Sequence, residues 1–174
     1  MAAQNIATFA PEDVTLVLST ASGSHIVSGY SEDAMISVDF NSPTFENFRS
    51  ADNITTRVYK SDTSATVTIT LNQTSVSNDI LSALYENDKK TRDSSGLFGV
   101  LIKDNSGRSA SSSTQSWISV KPTVSYSNGI QTREWVIFCH DLQGNIGGNA
   151  KMGDDDVNFL SSLGVTVDNR WRSN

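Results

Sequence analysis

Residues 64–72 constrain this chain more than any other stretch. Ala65, Val67, Ile69 and Leu71 alternate without a break with Thr66, Thr68 and Thr70. Successive strand side chains point to opposite sheet faces, so the apolar set faces a core and the β-branched hydroxyls face away from it. A one-residue slip would exchange the two faces, which fixes the register. Directly afterwards Val76, Ile80, Leu81, Leu84 and Tyr85 recur at helical spacing within residues 76–90. Ser75 or Ser77 is placed to cap that helix, Asp79 lies in its first turn, and Lys89 and Lys90 complement the dipole at its end. A strand with one wettable face and one amphipathic helix needs further strands to close a core, with the helix laid across a sheet.

Those strands are visible elsewhere. Val14, Leu16 and Leu18 alternate with Thr15, Val17 and Ser19; Ser22-Gly23-Ser24 supplies a turn, and residues 25–28 return beside them. Residues 35–40 and 97–103 read as strands, the first with Ile36, Val38 and Phe40 on one face, the second with Phe98, Val100 and Ile102. Residues 104–107 form a turn, and residues 108–114, nearly devoid of apolar groups, read as an exposed edge or a loop. Residues 117–121 form a strand ended by Pro122, and Asn128-Gly129 is a hairpin signal. Residues 130–140 return, with Trp135, Ile137 and Cys139 on one side and Glu134, Val136 and Phe138 on the other. After Asp141 the glycines at 144, 147, 148 and 153 read as a flexible link. A short helix follows over 154–163, with acids in its first turn and Gly164 at its end. The expected fold is mainly β: an antiparallel β-sandwich or barrel with one flanking α-helix and a long inter-strand arm, over residues 1–141. Residues 142–174 are then a Gly-rich linker and C-terminal extension.

Composition agrees. The 174 residues include 27 Ser, 16 Thr and 14 Asn, and only 37% are hydrophobic. Ser, Thr and Asn compete with the helical backbone for hydrogen bonds, which disfavours a helical bundle. No apolar run approaches the roughly 18 residues of a membrane span. Residues 1–5 lack a basic region followed by an apolar one, so no secretory leader is expected. A lone Cys139 excludes an internal disulfide framework, and His25 and His140 are too few for a multi-histidine metal site. The formal charge of −6 weighs against tight nucleic-acid binding, while allowing a surface that nucleic acid passes without sticking.

The chemically suggestive groups all have structural readings that weigh more. Asp154, Asp155 and Asp156 are adjacent on a helix and do not converge on a cation. Residues 144–153 lack the Gly-Lys-Ser/Thr ending of a phosphate loop. Cys139 and His140 are strand neighbours and point apart. The sequons at Asn53 and Asn72 are expected by chance in a chain rich in Asn and Thr. No catalytic, cofactor-binding or metal residue is assigned, and no cofactor is expected. Residues 41–61 are the stronger functional candidate. They are long for a connection and carry Phe45, Phe48 and Tyr59 with Arg49, Arg57 and Lys60. Aromatics and arginines concentrate interface energy. Composition leaves two readings open: an arm laid on a neighbouring subunit, or a loop folded back on its own domain.

Several ordered stretches resemble the tail tube proteins of tailed bacteriophages, in particular the contractile-tail group. They are Phe9-Ala10-Pro11-Glu12-Asp13-Val14; Ser50-Ala51-Asp52-Asn53 with Thr56-Arg57-Val58; residues 64–75 followed by Ser77-Asn78-Asp79-Ile80-Leu81-Ser82-Ala83-Leu84; Trp117-Ile118 with Lys121-Pro122; and Thr132-Arg133-Glu134-Trp135. The block from Ala65 to Leu84 is the most specific, and the resemblance spans residues 9–141. It implies a non-enzymatic virion protein, assembled in the host cytoplasm, whose copies form stacked hexameric rings. The arm would bridge subunits, and DNA would pass through the lumen without specific binding. A tail sheath, baseplate and tail-terminator would be partners. The extension after Asp141 lies outside the resemblance and could pack on the tube exterior, meet a sheath or cap the domain. The alternative is a stand-alone β-sandwich binding module of carbohydrate-binding or adhesin type, with Trp117 and Trp135 as an aromatic platform. A hydrolase using Cys139 or the acids ranks below both.

Overall fold

A computed structural model describes residues 6–33 and 35–173. The start read for a leader lies outside them. The strands are β1 (Val14–Thr20), β2 (Gly23–Ile26), β3 (Ile36–Phe40), β4 (Phe45–Arg49), β5 (Thr55–Tyr59), β6 (Ala65–Asn72), β7 (Phe98–Asp104), β8 (Ala110–Val120), β9 (Thr132–Cys139) and β10 (Gln143–Asn145). Two helices, α1 (Ser77–Thr91) and α2 (Asp154–Ser162), accompany them. Eight strands form one antiparallel sheet in the order β2-β1-β7-β8-β9-β6-β3, with β10 added beside β8. Among the described residues, β4 and β5 pair only with each other. No helix of the described residues is long and apolar enough to cross a membrane.

The alternation in β6 is fully realised: Ala65, Val67, Ile69 and Leu71 are all buried, and the three threonines between them are half-buried. Leu16 and Leu18 of β1, Phe98 and Val100 of β7, Ile118 of β8, and Trp135, Ile137 and Cys139 of β9 join them in one cluster with Leu81 of α1. Strands from both ends of a single sheet share that core, so the sheet curves over on itself, as strand twist and bulges allow.

The sharpest departure from regularity lies in β8. Before residue 114 the buried position is Ser113; after it they are Ser116 and Ile118. Buried positions two apart become three apart, because Phe98 pairs with Ser116 while Val100 pairs with Ser113. This bulge fuses the expected polar edge at 108–114 and the expected strand at 117–121 into one strand. Asp141 holds it. Its carboxylate accepts from the hydroxyls of Ser113 and Thr114 (2.7 Å each) and from the backbone N–H groups of Thr114 (3.1 Å) and Gln115 (3.3 Å). Partial burial pushes the Asp141 carboxyl up, but these donors outweigh it and hold the group below its ordinary range.

The expectation of a free link after Asp141 is corrected at its start. Leu142 is buried in the core, and residues 143–145 pair with β8 as β10. Gly144 is required there by close approach: a β-carbon would overlap the Ala110 carbonyl oxygen. Asn128-Gly129 does not make a tight hairpin. Neither residue has the positive φ that such a turn needs, and they bend within a loop running from 121 to 131.

Candidate assembly surfaces

Side-chain alternation gives β3, β6 and β9 a common outer face. Asp39 lies opposite Thr66, Ser37 opposite Thr68, and Glu134 opposite Thr70. Asp39 and Glu134 are exposed. Arg133, the only basic residue in these three strands, points to the other side and is buried, donating to the carbonyls of Thr132 (3.1 Å) and Ser125 (3.2 Å). Hydroxyls and two carboxylates therefore mark this face, and no cation comes from its strands. Its apolar part includes Val136, opposite Thr68, and the pair Trp117 and Phe138, whose ring centroids lie 4.6 Å apart. Trp117 and Trp135 do not form a joint platform: Trp135 is in the core on the opposite face, its Nε1 donating to Asn78 Oδ1 at 2.9 Å.

Within residues 41–61, β4 and β5 form a β-hairpin. Register places Phe45 opposite Tyr59, Asn47 opposite Arg57 and Arg49 opposite Thr55. Phe45, Asn47, Arg49, Thr55, Arg57 and Tyr59 therefore share one face, and Glu46, Phe48, Thr56 and Val58 the other. The ring of Phe45 stands 5.6 Å from that of Tyr59, and the Arg57 guanidinium lies 4.2 Å over Phe45. Arg49 is bonded to Asn53, and Lys60 is paired with Glu46. The tip turns through Ser50–Asn53 hydrogen bonds, with Asn53 at φ 69°. Every residue of β5 is exposed, and Phe45, Phe48 and Tyr59 retain 44%, 56% and 64% of their surface. The hairpin stands clear of the sheet that precedes and follows it.

Four of the five residues expected on the packing stripe of α1 are placed on it. Leu81 is fully buried, Leu84 and Tyr85 pack against the core, and Ile80 is half-buried. Val76 is a correction: it is 68% exposed at the N-cap position. The buried line runs through Ser77, Leu81 and Leu84, leaving Val76 about 100° round the helix from Ser77. Ser77 occupies the inward place because its hydroxyl meets His25 Nε2 (2.9 Å) and accepts from the Ser28 N–H (3.0 Å). Ser75, not Ser77, supplies the cap-like bond, accepting from the Ser77 N–H at 3.1 Å. Asn78 adds an anchor invisible to periodicity, donating to the carbonyls of Asn72 (2.9 Å) and Ser75 (3.0 Å) while accepting from Trp135.

Residues 146–173 form a strap over the β7–β8 turn. Arg108 Nη1 donates to Ala150 O at 2.7 Å, and Asn149 Nδ2 donates to Asp104 Oδ2 at 3.1 Å. Met152 bridges to Arg172, and the guanidiniums of Arg108 and Arg170 lie over the Trp171 ring at 5.0 and 5.2 Å. Val157 of α2 is buried beneath it, whereas Phe159 and Leu163 are 66% and 63% exposed. Asp154, Asp155 and Asp156 are exposed too and spread around the helix start.

Cys139 and His140 do not meet: the thiol is fully buried, which pushes its pKa up, and the imidazole is exposed. Sequence reasoning overlooked Asp141 as the pin of the bulge and could not group Asp39 with Glu134. The cross-strand register that unites those two acids is set by long-range pairing.

Known proteins complete the comparison. The family profile described as Bacteriophage PhiTE tail tube protein matches residues 6–147. Structural protein ORF10 of Pseudomonas phage KPP10 is 42% identical over 166 residues, covering 94% of this chain and 96% of that protein. Among solved structures, the tube-terminating cap of the anti-feeding prophage superposes with a TM-score of 0.49 at 9% identity, over 83% of this chain and 99% of the other. The sheath–tube complex of PVC, an extracellular contractile injection system, gives 0.48 at 9% identity, over 75% and 87%.

Proposed function

Because the chain belongs to the family of phage tail tube proteins matched by that profile, we propose that its copies assemble into stacked hexameric rings whose bore conducts DNA during ejection. The assembly takes place in the host cytoplasm and ends in the virion tail, with sheath, baseplate and terminator proteins as further partners. The hairpin carries this reading. A two-stranded hairpin is marginal on its own in water, and this one leaves three aromatic residues 44–64% exposed. A covering surface on another molecule gives those rings the burial that their own domain does not.

The sheet supports the same reading. Among the described residues, β2 and β3 each have one pairing partner and therefore one free edge. Free edges template pairing with another chain, and ring closure removes them. The outer face bearing Thr66, Thr68, Thr70, Asp39 and Glu134 suits a bore: hydroxyls keep it wet, and carboxylates repel phosphate where a basic wall would hold it. The mechanism is geometric and electrostatic, with no bond chemistry.

Negative-stain microscopy of concentrated protein tests the proposal. The full chain forms rings or tubes; a variant lacking residues 47–59 stays soluble and folded by circular dichroism but forms neither. Normal tubes from the deletion variant would remove the hairpin from the role of connector. Monomers at every concentration of the full chain would end the tube assignment.

A further inference from the structure

The same hairpin raises a sharper question, namely what covers it, and the answer rests on the assembly proposed above. We infer that the arginine-bearing face of the β4–β5 hairpin of one copy seats on the outer face of α2 of a neighbouring copy.

The two surfaces match in chemistry. The hairpin face presents the rings of Phe45 and Tyr59 with the guanidiniums of Arg49 and Arg57, and no carboxylate. Glu46 is on the opposite face with Lys60, and Asp52 is held in the turn by Ser50. On α2, the helical period puts Asp155, Asp156, Phe159 and Leu163 on the side away from buried Val157. That side carries two carboxylates and two exposed apolar groups, and α2 contains no basic residue. Each surface thus lacks the charge that the other supplies.

They also match in size. Nine helical residues span about 13–14 Å, and a five-residue strand spans about 17 Å. The hairpin can lie along the helix so that two aromatic rings meet Phe159 and Leu163 while the guanidiniums reach the carboxylates at the helix start. Arginine engages carboxylates in paired hydrogen bonds that fix orientation as well as affinity. The donor and acceptor surfaces are different patches of one chain, so the contact is head-to-tail. Such contacts close rings or extend filaments and do not stop at a symmetric pair. A residue set outside the strand framework, in the C-terminal strap, thereby acquires a role in joining copies.

Charge exchange tests this. The hairpin variant Arg49→Glu with Arg57→Glu, and the helix variant Asp155→Arg with Asp156→Arg, each lower the sedimentable fraction at a fixed concentration roughly tenfold, as opposed charges at a docking surface allow. Combining all four substitutions restores it. All four substituted positions are exposed, so circular dichroism stays native. A second measurement uses Asn47→Cys and Ser162→Cys in separate preparations. Mixed and oxidised, they give a disulfide-linked pair on a non-reducing gel, and Cys139, being buried, does not take part. If the helix variant assembles like the parent, or the combined variant is no better than the hairpin variant, or no crossed pair forms, α2 is not the acceptor and its face serves another protein. If the residues 47–59 deletion also assembles normally, the connector role of the hairpin itself falls.

Discussion

Removing the Asp141 carboxylate is the perturbation that most directly probes how this sheet bends. The side chain accepts four hydrogen bonds across the β8 bulge, two from hydroxyls and two from backbone amides. A hydrogen bond to a charged group contributes about 1.5–3 kcal/mol. Thr114 and Gln115 are exposed, so water replaces the carboxylate there at small cost. Ser113 is only 4% exposed, and its remaining acceptor, the Gln115 carbonyl, lies at 3.3 Å. One buried donor poorly satisfied, plus the loosened bulge, puts Asp141→Ala at about 2–3 kcal/mol. For a chain of this size that lowers Tm by about 4–12 °C. Asp141→Asn keeps the shape but turns an NH2 toward some of the donors, and costs about 1–2 kcal/mol. The assay is urea denaturation followed by circular dichroism below the assembly concentration. Its pH dependence supplies an independent check. The folded carboxyl is held below its ordinary value, so its contribution is complete above that value and is lost as pH falls through the folded one. The gap between parent and Asp141→Asn therefore closes in acid. A neutral-pH loss under about 0.5 kcal/mol, the level of an ordinary surface substitution, or a gap that persists in acid, would refute the clamp.

The helix offers a paired test by thermal denaturation: Leu81→Ala, at a fully buried position, costs about 2–5 kcal/mol. Val76→Ser, at an exposed one, stays within about 0.5 kcal/mol. Equal losses would restore Val76 to the packing stripe. Burial raises the Tyr30 phenol from 10.0 to about 12, with the Leu16 backbone offsetting only a part and no hydrogen bond of good geometry to its hydroxyl. The folded state thus favours the neutral phenol, so stability is intact below pH 10 and declines between pH 10 and about 12. Tyr30→Phe removes that decline at little cost near neutrality, which alkaline denaturation curves of the two proteins will show.

The parts of this fold that could be read from sequence are those where burial and chemistry coincide. From Ala65 to Leu71 of β6 each inward residue is apolar and each outward one a threonine, so the period of two is undiluted. The hairpin escaped because neither of its faces is buried: Phe45 and Tyr59 share one side with Arg49 and Arg57, and Phe48 and Val58 the other with Glu46. Without a buried face there is no contrast to detect, although the same rings and guanidiniums marked the segment as a candidate surface by composition. The first half of β8 was hidden for the opposite reason. Its inward residue, Ser113, is kept inside by Asp141 and by Ser116, whose hydroxyl donates to it at 3.0 Å, so no apolar residue announces it. β10 is glycine-centred because backbone passes too close for anything larger. A glycine read as slack was in fact a fit. Grouping Asp39 with Glu134 needed β3 and β9 to flank β6, a long-range pairing that no local pattern encodes.

β8 serves three neighbours, but not with the same residues. Ala110–Ser113 are laced to β7 and β10, Trp117–Val120 to β9, and Ser116 alone to both Phe98 of β7 and Cys139 of β9. Between them, the amides of Thr114 and Gln115 hydrogen-bond to a side chain, not to a strand. The curved wall is in effect two panels with a crease at residues 114–115, riveted by one carboxylate. Any flexing of one panel against the other concentrates at that crease, and a stiffer or looser rivet would reset the curvature each copy brings to its ring.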